Sequence, residues 1–426
     1  MGITAVGEKL AIHGGSKTVT SDPGDIFKWP IVTEEDEQAV LEVIRAGKMS
    51  GTDVTREFEA EYATYQGTEF ALAHCNGTAA LLGAMYGCGV GRGDEVIAPS
   101  LTYWATALPA FNLGATVVFA DIEADSLCLD PNDIEHRITP RTKAIVPVHY
   151  CGHPADMDPI MEIARNHGVK VIEDVSHAHG CIYKGRMTGA IGDVGAMSMM
   201  AGKSFAIGEA GMIVTDDREI LERAMAFGHY ERSSELTLPE LVPFKGLPLG
   251  GFKHRINQTC SAMGRVQLKS YPERVDEIQR AMNYFWDQLE GVPGLRAHRP
   301  AADSGSTMGG WYNPVGHYLP EELGGLSKAD FIKAVSAEGR SIGGGCNFPM
   351  HLHPVLNDAD IYNDGKPTRI AFSENDLREG EGTLPVSEAL AGRCIGIPWF
   401  KKFQPEIIEQ HAAAFRKVTE NADQLL

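Results

Sequence analysis

Apolar residues fall into two rhythms along the chain. Between about residue 70 and 226, short continuous apolar runs alternate with segments whose apolar positions recur at helical spacing. Glu69 to Ala73, Glu95 to Ala98 (stopped by Pro99), Thr116 to Ala120, Lys143 to Val148, Val169 to Asp174, Asp193 to Met199 and Gly211 to Thr215 read as strands. Between the first of them lie the helical runs Ala79 to Tyr86, opened by Asn76-Gly77-Thr78, and Thr102 to Asn112, ended by Gly114. Strands with no in-and-out alternation are apolar on both faces. Alternating with helices, they predict an α/β fold with a mainly parallel sheet covered on both sides.

Outside that block the rhythm changes. Residues 33 to 46 read as a surface helix with Thr33 as N-cap and Asp36 three residues on. Lys328 to Glu338 and Pro405 to Leu426 also carry helical periodicity, whereas Asn357 to Thr383 is polar and glycine-rich and reads as an exposed loop. The pattern divides the chain into an N-terminal segment (1–50) packing on a small domain, a large domain (51–265), and a small C-terminal α+β domain (266–426).

Charge narrows the possible partners. The 426 residues carry 38 basic and 57 acidic side chains, a net charge of −19. With a pI near 5.2, neither a nucleic-acid surface nor a polybasic membrane anchor is expected, because both need a concentrated positive field. The eight cysteines contain no CxxC pair and read as reduced thiols. The start MGITAVGEKLAIHGG lacks the apolar run of a signal peptide, Val6 breaks the myristoylation pattern, and no apolar stretch approaches the roughly 20 residues of a membrane span. The expectation is a cytoplasmic protein.

Familiar motifs are mostly missing. Gly87-Cys88-Gly89-Val90-Gly91-Arg92-Gly93 follows a helix rather than a strand, so it fails as a dinucleotide fingerprint. The HxH pairs His177/His179 and His351/His353 lack further ligands at metal spacing, and no metal site is expected. Three other features make sense together. Asn76-Gly77-Thr78 stands where a strand gives way to a helix, so backbone N–H groups and the helix dipole face an anion such as phosphate. Glu173-Asp174 ends an apolar strand, and strand alternation sends the two carboxylates to opposite faces, one toward the ligand crevice. Lys203 lies in Met199-Met200-Ala201-Gly202-Lys203, among small and apolar neighbours, as a Schiff-base lysine does. Each feature alone is ordinary: a capped turn, a loop carboxylate, a lysine. In this order they point to pyridoxal phosphate (PLP), with the carboxylate keeping the pyridine nitrogen protonated.

On these residues the chain resembles the DegT/DnrJ/EryC1/StrS sugar aminotransferases, fold-type-I PLP enzymes related to aspartate aminotransferase. The matching stretches include NGTAAL (76–81), GDEVIAPSLTYWATA (93–107), VIEDVSHAHG (171–180), GDVGAMSMMAGKSFAIGEAGM (192–212) and GFKHRIN (251–257). The resemblance implies that Lys203 binds the cofactor covalently and shuttles the proton, and that Asp174 partners the ring nitrogen. It implies phosphate contacts for Gly77, Thr78 and Ser198, ring stacking for Tyr103, and a ring contact for His177. It also implies a homodimer, with Lys253 and Arg255 reaching the neighbouring subunit's site. Lys253 stands where the family often has asparagine, and Ala210 replaces a glycine of its GEGG.

The reaction so implied moves an amino group from L-glutamate or L-glutamine to a ketone on a sugar or cyclitol ring, in two half-reactions. A dehydratase of the same family is a second reading, though those replace the lysine by histidine and Lys203 is intact. A third is a PLP-binding regulator without catalysis. His351, His353 and Trp311 stand open between lining the substrate pocket and packing.

Overall fold

The computed structural model describes residues 8–426. The first seven residues, Val6 among them, lie outside the described residues. In chain order the helices are α1 (Glu34–Arg45), α2 (Asp53–Gln66), α3 (Gly77–Gly87), α4 (Pro109–Asn112), α5 (Pro131–Arg137), α6 (Met157–His167), α7 (Arg218–Gly228), α8 (Gln258–Asp287), α9 (Lys328–Glu338), α10 (Pro354–Asn357), α11 (Pro385–Ala389) and α12 (Pro405–Glu420). The strands are β1 (Phe70–His74), β2 (Glu95–Pro99), β3 (Thr116–Ala120), β4 (Thr142–Ile145), β5 (Lys170–Asp174), β6 (Ile182–Tyr183), β7 (Arg186–Met187), β8 (Val194–Ser198), β9 (Gly211–Thr215), β10 (Leu295–Ala297), β11 (Val315–Tyr318) and β12 (Cys394–Gly396).

Seven strands form the main sheet in the order β1-β9-β8-β5-β4-β2-β3. Pairs β2–β3, β2–β4, β4–β5 and β5–β8 are parallel, and β9 alone runs antiparallel to both its neighbours. The α/β expectation therefore holds, with one reversed strand. Helix α3 packs on one face of this sheet within an apolar core that includes Leu81, Ala84, Ile172 and Ile213. Glycine contact shapes the sheet near α3. A Cβ on Gly211 would lie 2.3 Å from the Asn76 carbonyl oxygen, so only glycine lets β9 sit against that turn.

Local signals explain most boundaries. Thr33 Oγ1 accepts from the Asp36 N–H while Asp36 Oδ2 accepts from the Thr33 N–H (2.8 Å), a complete capping box for α1. The predicted helix over 102–112 is broken into a 3₁₀ turn (Trp104–Thr106) and α4, because Pro109 has no N–H to continue a helix from upstream. The 30-residue α8 has no counterpart in the sequence reading, since Pro272 inside it imitates a breaker. Asn257 caps it, and Tyr271, Val275, Ile278, Met282 and Phe285 make a buried stripe along it.

A second, antiparallel sheet (β10-β11-β12) packs with α8, α9 and α12 in another core, which also holds Leu10 and Ile26. The buried Glu338 carboxylate ties these parts together, accepting from Ala11 N–H (2.7 Å), Thr18 Oγ1 (2.8 Å) and Lys417 Nζ (3.0 Å).

The polar stretch 357–383 differs from the exposed loop its composition predicts. Buried Arg369 donates to the Val117 carbonyl (2.9 Å) and pairs with Glu379, whose other oxygen accepts from the Phe119 N–H (2.9 Å). The segment thus covers the edge strand β3, using charged groups to satisfy free backbone polar atoms. Among the described residues no helix is long and apolar enough to cross a membrane.

Candidate active site

A cavity of about 480 Å³ opens at the C-terminal ends of β1, β2, β5 and β8. Gly77, Thr78, Tyr103, Asp174, His177, Ser198 and Lys203 all line it. They come from four separate stretches of chain (77–78, 103, 174–177 and 198–203), which the sheet topology brings together.

The α3 N-terminus forms one wall. Asn76 Oδ1 accepts from the Ala79 N–H (2.8 Å), leaving the first N–H groups of Gly77 and Thr78 without intrahelical partners. A Cβ on Gly77 would lie 2.5 Å from Ser198 Cβ, so the glycine lets α3 close against the end of β8. Backbone donors, the Thr78 and Ser198 hydroxyls and the positive end of the helix dipole make a cradle for a phosphate.

Asp174 lies at the opposite side, buried at the end of β5. Its Oδ2 accepts from Thr106 Oγ1 (2.8 Å) and its Oδ1 from the Ser176 N–H (3.0 Å). With its hydrogen committed to Asp174, Thr106 accepts from Thr102 Oγ1 (2.8 Å), which orients the carboxylate through a three-residue relay. Adjacent Glu173 points to the other face, where His149 Nε2 and the N–H groups of Gly189, Ile191 and Gly192 satisfy it. The two carboxylates part as strand alternation requires.

Lys203 is buried in the turn after β8, with 8% of its surface exposed. Its N–H donates to Met200 O (2.8 Å) and its carbonyl accepts from Trp29 Nε1 (2.8 Å). Burial pulls its amine down to about 8, against the opposing attraction of Asp174. Its Nζ lies 4.1 Å from the centroid of the Tyr312 ring. His177 is also buried, and its Nδ1 accepts from the Cys151 N–H (3.3 Å), so Nε2 carries the proton. Burial, then the Lys203 charge, holds it well below the usual histidine range and therefore neutral.

Tyr103 stands half-exposed at the rim beside Trp104. Lys253 and Arg255 are not in this cavity: Lys253 is exposed and Arg255 pairs with His74 at the end of β1. Trp311 and His351 are fully buried and do not line it; His351 bonds Ser100 Oγ (2.6 Å) and Glu388 Oε1 (3.0 Å). His353 caps α10 through Nδ1 (3.2 Å to the Val355 N–H). His179 donates to the Ser198 carbonyl (2.8 Å). Among the described residues no group of three His, Cys, Asp or Glu is arranged to hold a metal ion.

Sequence reasoning missed Thr102, Thr106, Tyr312, Asn313 and Asn347, which line the cavity or hold its residues. No local signal marks them. The last three arrive from the second half of the chain through its return to the sheet.

A seven-stranded sheet with one reversed strand, carrying a buried amine opposite a strand-end carboxylate and beside an anion cradle, defines an α/β transferase of the aminotransferase class. The chain belongs to the DegT/DnrJ/EryC1/StrS aminotransferase family, whose sequence model matches residues 30–416. It is 30% identical over 408 residues to the spore coat polysaccharide biosynthesis protein SpsC of Bacillus subtilis (strain 168), covering 93% of this chain and 97% of that one. It is 32% identical over 405 residues to an L-glutamine:2-deoxy-scyllo-inosose aminotransferase of Streptomyces kanamyceticus, covering 91% of each. Among solved structures, the aminotransferase from Psychrobacter cryohalolentis superposes with a TM-score of 0.80 at 28% identity, over 93% of this chain and 99% of that one.

The family and its solved neighbours are PLP-dependent aminotransferases. The cavity fits that group in size and donor set: a glycine-cleared phosphate cradle at one end, a buried carboxylate for a ring nitrogen, and a buried amine between.

Proposed function

We propose that this aminotransferase moves an amino group from L-glutamate or L-glutamine to a ketone on a sugar or cyclitol ring, with PLP held in the cavity described above. The observation that carries the reading is the buried Lys203 amine sharing one cavity with Asp174 and the Gly77–Thr78–Ser198 cradle. The cofactor, when bound, supplies an electron-withdrawing ring and carries the amino group from donor to acceptor.

The protein's own residues do the rest. Thr78, Ser198 and the free N–H groups of α3 hold the phosphate end. Asp174, locked by Thr106 and Ser176, would keep a proton on the cofactor's ring nitrogen. Tyr103 would cover the cofactor ring, and neutral His177 would offer it the Nε2–H donor. Lys203 would hold the cofactor aldehyde through Nζ and, once freed by the donor amine, its Nζ would take the proton from the donor Cα and return it to the cofactor carbon on the far side of the shared nitrogen. Burial favours this role, because an amine pulled down to about 8 is partly neutral near physiological pH.

The choice of donor and ketone follows from the relatives. The Streptomyces kanamyceticus protein takes L-glutamine and a cyclitol ketone, which supports that substrate class here. A homodimer completes the site in this reading. Exposed Val242, Phe244, Leu247 and Leu249 lie on the segment leading to Lys253 and Arg255, an apolar surface suited to a second copy.

Borohydride reduction of the PLP-loaded protein tests the assignment. The cofactor should become fixed to the peptide carrying Lys203, and Lys203→Ala should abolish both this adduct and turnover. An adduct on another lysine, or normal turnover by Lys203→Ala, overturns it.

A further inference from the structure

Tyr312 stands apart from every residue the sequence singled out. It lies between two non-glycine residues in the left-handed region, Trp311 (φ 53°) and Asn313 (φ 50°). Such backbone is unfavourable for L-residues and persists only where the surroundings over-determine it, most often at functional sites. Here the turn aims one ring at one atom, the Lys203 Nζ at 4.1 Å. The ring is braced from behind by Trp399 (edge-on, centroids 5.9 Å apart), whose Nε1 donates to the Gly310 carbonyl (3.1 Å). His177 packs against it at 4.8 Å. The Trp29 indole holds the Lys203 carbonyl and packs on Trp399 (centroids 5.5 Å apart), so one aromatic cluster braces both the lysine backbone and the ring.

We propose that Tyr312 is a catalytic residue whose ring face seats the Lys203 ammonium during the intervals when that amine is not bonded to the cofactor. The proposal rests on the role of Lys203 argued above. The physical need is plain. When the lysine takes up a proton it becomes a cation in a buried site. Asp174 is the carboxylate that attracts it, while burial keeps the neighbouring Cys151 thiol, His177 and His179 uncharged. The negative face of an aromatic ring stabilises an ammonium with no proton of its own to exchange. Tyr312 therefore holds Nζ in reach and offsets part of its burial, and the proton remains on Nζ until it is returned.

The test titrates Lys203 in cofactor-free protein, by trace acetylation across pH read at the Lys203 peptide by mass spectrometry. The wild-type amine should reach half-maximal reactivity near pH 8. Tyr312→Leu should shift that midpoint down by about half a unit or more, since losing the ring disfavours the ammonium. Tyr312→Phe, which keeps the ring, should titrate as wild type. In the PLP-loaded enzyme, Tyr312→Leu should lower kcat about tenfold with little change in KM, and Tyr312→Phe should restore it. An unshifted midpoint in Tyr312→Leu overturns the proposal, as does a Tyr312→Phe protein that behaves like Tyr312→Leu. Where Tyr312→Leu fails to fold, Tyr312→Met gives the same reading. The labelling needs no cofactor, so failure of the PLP assignment shows separately, as absence of the borohydride adduct.

Discussion

Lys203 owes its chemistry to where its amine is buried. At about 8 the amine is mostly protonated at pH 7 and mostly free at pH 9. Only the free form attacks an aldehyde, so the rate at which cofactor-free protein captures PLP should rise about tenfold per pH unit below 8 and level off above it. Stopped-flow absorbance measures this directly. Asp174 works through its orientation as much as its charge. Thr106→Val removes the hydroxyl that bonds Oδ2 (2.8 Å), and turnover should fall about tenfold, the equivalent of one hydrogen bond to a charged group. A protein with unchanged kcat would show that Ser176 alone suffices to hold the carboxylate. At this scale the sequence was readable wherever a residue sits in a local motif. Lys203 among small residues and Asp174 at a strand end both announce themselves. Tyr312 and Thr106 do not, because their significance comes from partners 109 and 68 positions away.

The elements around the cradle meet at distances that only hydrogen atoms permit. Gly77 of α3 and Gly211 of β9 each replace a Cβ that would fall 2.5 Å from Ser198 Cβ and 2.3 Å from Asn76 O. Gly77→Ala should therefore push α3 off β8, costing about 1–3 kcal/mol of stability and weakening PLP binding more than it weakens substrate binding. Thermal unfolding with and without PLP separates the two effects. The strands of the main sheet were legible because burial on both faces leaves continuous apolar runs, and α1 because its capping box is local. Helix α8 was not, since Pro272 imitates a stop. The stretch 357–383 misled through composition: its charges read as solvated, yet Arg369 and Glu379 serve the backbone of β3. Arg369→Ala removes the nearer cation from the Glu379 carboxylate, leaving Arg137 at 3.7 Å and the Phe119 N–H, and should cost about 1–3 kcal/mol, read by denaturant unfolding.

Across the whole molecule, distant segments share single jobs. Residues 8–30 reach the C-terminal core and also, through Trp29, the carbonyl of Lys203. Near the cradle, His74, His229 and His254 pack ring on ring, each with one buried nitrogen lacking a partner. Burial, aided for His74 and His229 by the neighbouring rings, holds His74 well below the usual range and pulls His229 to about 3 and His254 to about 4. The unfolded chain binds these protons at a higher pH than the folded one, so stability is full above about 6.5 and falls as pH drops toward 4. His254→Gln should flatten that fall by up to about 1.4 kcal/mol per pH unit, read from denaturant unfolding at pH 7 and 5. At the largest scale, the proposed homodimer, with Arg255 reaching the neighbouring subunit's site, predicts complementation. Lys203→Ala and Arg255→Ala proteins, each inactive, should regain about a quarter of wild-type activity when mixed and allowed to exchange subunits, because half the dimers then hold one intact site of two.

The proposed holding of PLP by Lys203, Asp174 and the α3 cradle has a simple optical test, the absorption spectrum of the loaded protein. PLP-loaded protein should show a near-visible band that bleaches on adding L-glutamine or L-glutamate and returns with the matching keto acid. A band that neither donor moves, or no band at all after adding PLP, would rule out transamination at this site.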